Sequence, residues 1–537
     1  MSNATHATVS QARGMTREER KVILASSFGA LLEWYDFYIY AALAGYFSVL
    51  FFPPGNATTA FLASLATFGA GFLVRPLGAL LFGQMGDRLG RKRTFMVTII
   101  LMGVATVGIG LLPSFEHIGI TATICLVLLR LLQGLALGGE VGGAVTYVAE
   151  HSPMARRGLY TSSLQITAGV GLLLSLAVVY SLKGFINEED FRAWGWRLPF
   201  VLSLVLLAIS VYVRGKLEES PTFQRMKATG RTSRSPIRES FLRWSNLRLV
   251  LMLFCVAAAL GAIFGTGHFY SMFFLNRTLK LPLETVHLIL ACVLLCATPL
   301  YLFFGWLSDR WGRKPILVAA CLLAALTTYP IFKGLTHYAN PALETFLETP
   351  ISVAADGCEF RLFSAPVSAC DRTRSYLTDQ GVGYRAQSAE VTGTVIVTIG
   401  QQRLVDPGAE DLHRALVSAG WPATADPAQI NRPMLFVLML LLVVYLAMIY
   451  GPMAAFMVEL FPARIRYTSL SLPFHLGAGW IGGMLPFIVS ALNVAYGDPY
   501  FGLWFPVSII AFGLWVTLVF APETRGRSLE DDGAAIH

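Results

Sequence analysis

Long apolar segments recur along the whole chain, and they constrain its fold more than any other feature. Each has roughly 18 to 28 residues, which lets a helix rising about 1.5 Å per residue cross the ~30 Å hydrocarbon core of a bilayer. Hydrophobic residues make up 55% of the 537 residues and charged residues only 14%, a balance typical of membrane proteins. We therefore predict an all-α membrane protein with about twelve transmembrane helices, at approximately 22–50, 60–83, 95–112, 121–149, 158–182, 197–214, 248–275, 285–307, 316–336, 433–458, 469–496 and 501–521.

The connections between these segments differ in their content of Lys and Arg. Those on one face (84–94, 150–158, 214–248, 308–315 and 459–468) carry 20 such residues, whereas 183–197 and 276–284 on the other face carry five. Because cytoplasmic loops are enriched in cations, both termini are expected in the cytoplasm, most simply of a bacterium with the chain in its inner membrane. The same loops account for the net charge of +8, so we expect contacts with the lipid bilayer and none with nucleic acid. The first 21 residues are polar, so the first apolar segment is predicted to be a spanning helix and not a cleaved signal peptide.

Two copies of one short motif show that the chain is duplicated. GQMGDRLGRKR at 83–93 and GWLSDRWGRKP at 305–315 match at an offset of 222, whereas the segments that begin at Glu150 and Glu459 match at an offset of 309. The second half therefore contains 87 additional residues, which fall in its long polar stretch. We predict two parallel six-helix halves, 22–214 and 248–336 with 433–521, joined by a basic cytoplasmic linker at 215–247 and flanked by cytoplasmic tails at 1–21 and 522–537.

The additional residues form an insert at 337–432, between the ninth and tenth helices. It lies opposite the basic loops, so we predict a small α+β unit outside the membrane, with strands at 351–354 and 394–399 and a helix near 410–418. Cys358 and Cys370 are candidates for a disulfide bond in this oxidising compartment, and two free thiols are the alternative. The insert is interpreted either as a lid or binding accessory or as a passive addition.

The duplicated motif resembles the signature loop of the major facilitator superfamily. Other segments resemble its metabolite:proton symporter subfamily, which includes permeases for α-ketoglutarate, citrate, shikimate, proline and betaine; they are EWYDF at 33–37, RPLG at 75–78, QG at 133–134 with GGE at 138–140, and the segments 194–200, 219–223, 462–468 and 475–483. The resemblance implies the major facilitator fold and transport by alternating access. It also implies that the two loops hold the halves together on the cytoplasmic side and then release, with Asp87, Arg91, Asp309 and Arg313 as gate residues.

Charged residues inside the helices point to the transport site. Each costs about 2.5–3.5 kcal/mol at the centre of a spanning helix, so each is expected to face a partner or a wet cavity. Glu33 and Asp36 share one face of the first helix, and the fourth helix carries Glu140. The proton affinity of such an acid depends on its distance to a cation, which is the property that proton coupling requires. Asp36, Glu33 and Glu140 are therefore the candidate proton carriers, with purely structural ion pairs as the alternative.

The candidate substrate site combines cations with polar side chains. Arg75 and Arg130 are predicted to neutralise the acids or to hold a substrate carboxylate, and Arg130 lies within about 80° of Gln133 and Glu140 on one helix. A hydrogen bond between helices is the alternative for each membrane His or Tyr. The polar candidates are Gln133, Tyr40, Tyr270 and His475, with His268, Tyr445 and Tyr450 as further possibilities.

The cations favour an anionic or zwitterionic small molecule, and we predict proton-coupled symport of an organic acid such as α-ketoglutarate, citrate or shikimate by a monomer. The sequence contains no Walker-type loop, H-E-x-x-H or G-x-S-x-G, so an enzyme is not expected. The proton gradient is the expected driving force, with no cofactor and no metal. Proton-coupled uptake of proline or betaine is the main alternative, followed by a uniporter, an exporter and a receptor that binds without transporting.

Overall fold

Twelve long helices dominate the computed structural model, which describes residues 16–53, 57–216, 218–355, 368–388 and 393–529. They are α1 (Arg17–Ala42), α2 (Ala57–Leu89), α3 (Arg91–Leu111), α4 (Ile120–His151), α5 (Arg157–Phe185), α6 (Leu198–Gly215), α7 (Trp244–Phe264), α8 (Leu283–Trp311), α9 (Arg313–Ala339), α10 (Arg432–Leu460), α11 (Arg466–Phe474, His475–Ile481 and Gly482–Tyr496) and α12 (Trp504–Phe520). Within the described residues ten helices, α3 to α12, are long and apolar enough to cross a membrane, and α1 and α2 are comparably long with 26 and 33 residues. The predicted all-α membrane architecture is confirmed.

Short helical turns complete the connections. They are Ala44–Leu50, Phe115–Ile118, Met154–Arg156, Glu188–Ala193, Gly195–Arg197, Pro221–Ala228, Pro236–Phe241, Gly265–Tyr270, Ser271–Phe273, Phe274–Thr278, Pro341–Phe346, Ala369–Asp379, Ala409–Ser418 and Phe501–Leu503. Several long helices continue past their predicted ends: α2 reaches Leu89 and α8 reaches Trp311. Hydropathy detects only the part of a helix that contacts lipid, so these polar cytoplasmic ends were assigned to loops.

Two glycines of the duplicated motif separate consecutive helices in each half. Gly90, between α2 and α3, has φ of 113°, and Gly312, between α8 and α9, has φ of 106°. Residues with a Cβ rarely adopt such angles, so glycine permits the abrupt change of direction. The recurrence of this glycine after 222 residues therefore reflects the same sharp turn in both halves.

Small residues let α2 and α4 approach each other closely. A Cβ at Gly134 would meet the main-chain oxygen of Gly71, and a Cβ at Gly138 would meet that of Arg75. Glycine at helix interfaces is typical of membrane proteins because lipid provides no hydrophobic drive for association and close packing must provide it instead. This contact fixes the position of Arg75 relative to α4.

Helices α7 and α11 contain π-helical turns where they pass the centre of the molecule. These turns are Gly265–Tyr270, which continues α7, and His475–Ile481 within α11. A π-turn widens the helix and is common at functional sites. Each of these turns carries one of the predicted histidines, His268 and His475.

The insert forms the predicted α+β unit. Its four strands, in the order β2-β1-β3-β4, are β1 (Ile351–Ala354), β2 (Arg385–Gln387), β3 (Ile396–Ile399) and β4 (Gln402–Val405). β1 pairs parallel to β2 and antiparallel to β3, with Ile351 opposite Ile399, and β3 pairs antiparallel to β4. The first predicted strand and the helix Ala409–Ser418 are confirmed, and the second strand begins two residues later than predicted.

The insert rests on exterior loops of the C-terminal half. The amide of Tyr384 donates to the carbonyl of Gly497 at 2.6 Å, and the amide of Ala425 donates to Lys280 at 3.3 Å. Burial raises the pKa of Tyr384 to about 12, so this phenol stays neutral at physiological pH. Cys370 is disulfide-bonded, but Cys358 lies outside the described residues, so the predicted pairing stays a prediction.

Candidate substrate cavity and cytoplasmic gate

A cavity lies at the centre of the molecule, between the two halves. Helices α1, α2, α4 and α5 form one side of it, and α7, α8, α10 and α11 form the other. Among the predicted site residues, Arg75, Glu140, His268, Tyr450 and His475 line this cavity. The other candidates are buried away from the cavity wall. Glu33, Asp36, Tyr40, Arg130 and Gln133 lie inside the N-terminal half, and Tyr270 and Tyr445 lie inside the C-terminal half.

Arg75 is a buried cation on the cavity wall. Only 4% of the residue is exposed, and its guanidinium carbon lies 3.9 Å from the ring centroid of Phe72 and 4.7 Å from that of Phe37. Aromatic faces stabilise a cation without neutralising it. Among the described residues no carboxylate lies within ion-pair distance of Arg75, and its Nε and Nη2 have no hydrogen-bond partner. The guanidinium is therefore available to an anion in the cavity.

Glu33 and Glu140 share a different arginine, Arg214 of α6. The Nη1 atom of Arg214 lies 2.9 Å from Glu33 Oε1, and its Nη2 atom lies 3.4 Å from Glu140 Oε1. All three side chains are at least 96% buried, and the guanidinium also lies 3.6 Å from the ring centroid of Phe95. We call these residues the Arg214 triad. With both acids ionised it carries a net charge of −1, which one proton would cancel.

Asp36 lies near this triad but depends on hydroxyl groups. Ser203 Oγ donates to its Oδ1 at 2.6 Å, and Thr106 is a second hydrogen-bonding neighbour. Gln133 Nε2 lies 2.7 Å from Thr106 Oγ1, and Arg130 Nη1 donates to Gln133 Oε1 at 2.6 Å. A continuous polar chain therefore connects Asp36 to Arg130 inside the N-terminal half. No ion pair of Asp36 is found in the part of the chain that the structure describes.

Tyr40 and Tyr270 have structural surroundings. The ring of Tyr40 lies 4.2 Å from the guanidinium of Arg130, and its hydroxyl donates to the carbonyl of Ser64 at 3.1 Å. Tyr270 accepts a hydrogen bond from Asn493 at 3.1 Å inside the C-terminal half. Neither residue is on the cavity wall, so contact with a substrate stays a prediction for both. His475 does face the cavity, and its Nε2 has no hydrogen-bond partner among the described residues.

The gate aspartates each cap a helix of the opposite half. The carboxylate of Asp87 accepts the amides of Tyr467 at 3.3 Å and Thr468 at 2.9 Å, at the start of α11. Asp309 accepts the amides of Gly158 at 2.8 Å and Leu159 at 2.9 Å, at the start of α5. An acid at a helix N-terminus satisfies free amides and complements the helix dipole. The two copies of the motif thus join the halves at their cytoplasmic ends.

Reciprocal ion pairs strengthen the same junction. Arg157 lies 2.8 Å from Glu459 of the opposite half, and Arg466 lies 2.9 Å from Glu150. The gate arginines join these pairs, with Arg313 3.3 Å from Glu459 and Arg91 3.7 Å from Glu150. These hydrogen bonds and ion pairs therefore join the two halves on the cytoplasmic side.

Sequence reasoning missed the roles of Arg214, Glu150 and Glu459. Arg214 ends the sixth predicted segment and was counted among the loop cations, whereas only 1% of it is exposed. Removing it from that count does not alter the predicted orientation. The matching positions of Glu150 and Glu459 were used only to locate the insert. Each acid is followed by an arginine in both halves, Arg157 and Arg466, and this repeated pairing was the signal for ion pairs between the halves. The described residues contain no cluster of His, Cys, Asp or Glu able to hold a metal.

Known proteins are similar to this chain in sequence or in fold. The family described as "Sugar (and other) transporter" matches residues 22–241 and 415–533, more than half of the chain. The shikimate transporter of Escherichia coli (strain K12) is 38% identical over 324 residues, which cover 59% of this chain and 72% of that protein. The inner membrane metabolite transport protein YhjE of the same organism is 29% identical and covers 95% of each chain. A putative proline/betaine transporter of Staphylococcus aureus (strain MSSA476) is also 29% identical, over 96% of this chain and 91% of that one.

The same architecture occurs among solved structures. The proton:xylose symporter XylE of the major facilitator superfamily, bound to 6-bromo-6-deoxy-D-glucose, superposes with a TM-score of 0.64. The match covers 96% of this chain and 98% of that one at 16% identity. At such low identity the likeness establishes the fold alone.

Proposed function

Because this chain belongs to the major facilitator superfamily, we propose that it carries a small carboxylate-bearing metabolite together with protons across a bacterial inner membrane. Membership makes the chain a multi-pass membrane transporter and not an enzyme. Transport of a carboxylate and coupling to protons are proposed here beyond what family membership establishes. An organic acid is the substrate class that the charges of the N-terminal half favour, and a monomer contains the complete cavity.

The main support for this proposal is the buried guanidinium of Arg75 on the cavity wall. A guanidinium is costly to bury and usually has an anionic partner. Aromatic rings pack against Arg75, no carboxylate lies within ion-pair distance of it among the described residues, and it lines the cavity. A substrate carboxylate would complete this site with charge-assisted hydrogen bonds, worth about 1.5–3 kcal/mol each.

The acids of the N-terminal half support proton coupling. Asp36 is buried and hydrogen-bonded to Ser203, without an ion pair among the described residues, so protonation would not break one. The triad, in contrast, holds two acids on one guanidinium. We propose Asp36 as the main proton carrier and the triad as a second site, because burial in the membrane disfavours a charged carboxylate and favours its protonated, neutral form.

The closed cytoplasmic junction fits one half of an alternating-access cycle. Arg157 and Arg466 pair with acids of the opposite half, and these ion pairs involve side chains at least 96% buried. In the proposed cycle, binding of substrate and proton at the cavity favours the state in which these pairs have separated. The membrane potential adds about 2.3 kcal/mol per charge per 100 mV to the driving force when the transported complex is charged.

Uptake into proteoliposomes tests the substrate class. Labelled α-ketoglutarate, citrate, shikimate, proline and betaine are supplied with and without an inward proton gradient. We expect one of the acids to accumulate only with the gradient, and Arg75→Gln to reduce its apparent affinity by about 10- to 100-fold, the loss of one charge-assisted hydrogen bond. Arg192→Gln is the matched control, because the side chain of Arg192 is 70% exposed. Wild-type affinity in the Arg75 variant would rule out the assigned role.

A second variant tests the proton. Asp36→Asn should abolish accumulation driven by the gradient but preserve exchange of labelled for unlabelled substrate, because exchange needs no net proton movement. Persistent accumulation in Asp36→Asn would show that another group carries the proton. Binding of a panel member without any flux would favour a receptor over a transporter.

Proton-coupled osmolyte uptake is the second candidate. Several relatives with near-complete coverage are named as putative proline/betaine transporters. Both osmolytes carry a carboxylate that Arg75 could bind, so the Arg75 test alone does not separate them from organic acids. The remaining groups of the cavity make that distinction.

A further inference from the structure

The cavity wall contains more hydrogen-bonding groups than a single carboxylate requires. Tyr38, Tyr301 and Tyr450 all line the cavity, and within the described residues none of their hydroxyls has a hydrogen-bond partner. Tyrosine hydroxyls that are removed from bulk water usually have a partner. Three such groups around one cavity can exchange hydrogen bonds with polar groups of a ligand.

These hydroxyls belong to the same region as Arg75. All three tyrosines line the same cavity as Arg75, and the ring centroids of Tyr301 and Tyr450 lie 6.4 Å apart. His475 adds the Nε2 atom, which also lacks a partner in the described part of the chain. The neutral groups come from both halves, with Tyr38 on α1, Tyr301 on α8 and Tyr450 on α10.

The same wall offers little to an ammonium group. Glu140 is the one acid among the described residues that line the cavity, and it is paired with Arg214 at 3.4 Å. Two of the aromatic rings that line the cavity, Phe72 and Trp34, face the guanidinium of Arg75 at 3.9 Å and 5.8 Å and so are already occupied by a cation. A second cation would therefore meet a positive charge without a free carboxylate to balance it.

We propose that the cavity selects hydroxylated carboxylates over hydroxyl-free acids and over zwitterions such as betaine. This inference rests on the proposed transport of carboxylates and narrows their class. The substrate carboxylate binds Arg75, and its hydroxyl groups exchange hydrogen bonds with Tyr301, Tyr450 and the imidazole of His475. A site that bonds hydroxyl groups rejects an analogue without them, because its own buried polar groups then stay unsatisfied.

Equilibrium binding to the purified full-length protein in lipid nanodiscs tests this selectivity. Labelled shikimate and labelled citrate are the probes, and each is displaced by its hydroxyl-free analogue, cyclohex-1-ene-1-carboxylate or tricarballylate, and by betaine. We expect at least one hydroxylated acid to bind at least tenfold more tightly than its analogue, and betaine to displace neither. Tyr450→Phe and Tyr301→Phe should each weaken binding of that acid about three- to tenfold and leave binding of the analogue unchanged.

Tyr445→Phe is the matched control. Tyr445 lies on the same helix as Tyr450, but it is not on the cavity wall and its hydroxyl accepts a hydrogen bond from Thr327 at 3.0 Å. The Tyr445→Phe variant should bind the hydroxylated acid with the same affinity as the wild type. Four outcomes would each overturn the inference. They are equal affinity for each acid and its analogue, equal losses for both in Tyr450→Phe, displacement by betaine, and failure of both hydroxylated acids to bind.

Measuring flux separates this inference from the proposed function. Preference for the hydroxylated acid in binding, without gradient-driven accumulation in proteoliposomes, would support the selectivity and refute proton-coupled transport. Accumulation of hydroxyl-free acids or betaine, with no loss in the tyrosine variants, would support transport and refute the selectivity.

Discussion

Replacing Arg214 by Met should destabilise the protein, because it leaves two buried carboxylates without their cation. The guanidinium lies 2.9 Å from Glu33 and 3.4 Å from Glu140, and the three side chains are at most 4% exposed. Methionine keeps much of the length and apolar volume of the arginine stem, so the main loss is electrostatic. The variant therefore isolates the charge of Arg214 from its packing.

The expected magnitude follows from these distances. At an effective dielectric constant of about 20, each attraction is worth about 5 kcal/mol before the cost of desolvation. Removing one partner of a buried ion pair typically costs about 3–5 kcal/mol net, since the remaining ion is left without compensation. For a chain of this length, unfolding entropy of about 2 cal/mol/K per residue converts that loss into a drop of about 3–5 °C in the thermal midpoint.

Thermal unfolding in detergent compares three variants. Arg214→Met should show the full drop, whereas Arg214→Met combined with Glu33→Gln and Glu140→Gln should recover most of it, because no uncompensated charge remains. Arg192→Met is the control, since its partner Glu188 is exposed and such surface pairs contribute little. A midpoint of Arg214→Met within 1 °C of the wild type, or a triple variant as unstable as the single one, would refute this reasoning.

Three shorter predictions test the packing, the gate and the insert. Gly138→Val should lower transport activity and the thermal midpoint, because its side chain meets the main-chain oxygen of Arg75, whereas Gly184→Val, which has open space, should resemble the wild type. Asp87→Asn weakens two charge-assisted hydrogen bonds to α11. Alkylation of a single cysteine introduced at the cytoplasmic end of the cavity should therefore accelerate about tenfold or more, and an unchanged rate would contradict a gate role. Cys370→Ser should destabilise the insert by about 3 kcal/mol, and treating the wild type with a reductant should have the same effect. Equal protease resistance of the wild type and the Cys370→Ser variant would contradict this prediction.

Features that depend on short stretches of sequence could be predicted. The twelve segments follow from hydropathy alone, and the position of the insert follows from the two motif offsets. The cytoplasmic junction between the halves could also be located, because each repeated position has a local cause that acts in both halves. Gly90 and Gly312 form sharp turns, and Asp87 and Asp309 cap helices of the opposite half.

Partner choice inside the membrane could not be predicted. The helical positions of Glu33 and Asp36 placed both acids on one face, yet Glu33 pairs with Arg214 while Asp36 bonds Ser203. Both partners belong to α6, and its contact with α1 depends on how all six helices of the half pack. Hydropathy also assigned Arg214 to the membrane boundary, where a cation normally lies in water.

The duplication is retained at the cytoplasmic junction but not at the cavity, and this difference suggests how the two are coupled. The cytoplasmic junction uses acids and arginines from both halves, whereas Arg75 and Glu140 on the cavity wall both belong to the N-terminal half. Helix α4 connects the two regions, because it carries Glu140 at the cavity and Glu150 at the gate, ten residues and about 15 Å apart along its axis. Because α4 is one continuous helix, we expect a change of charge around Glu140 that shifts α4 also to shift Glu150 relative to Arg466. We therefore expect protonation of Glu140 and binding of the substrate carboxylate to Arg75, both in the N-terminal half, to loosen a junction that both halves build.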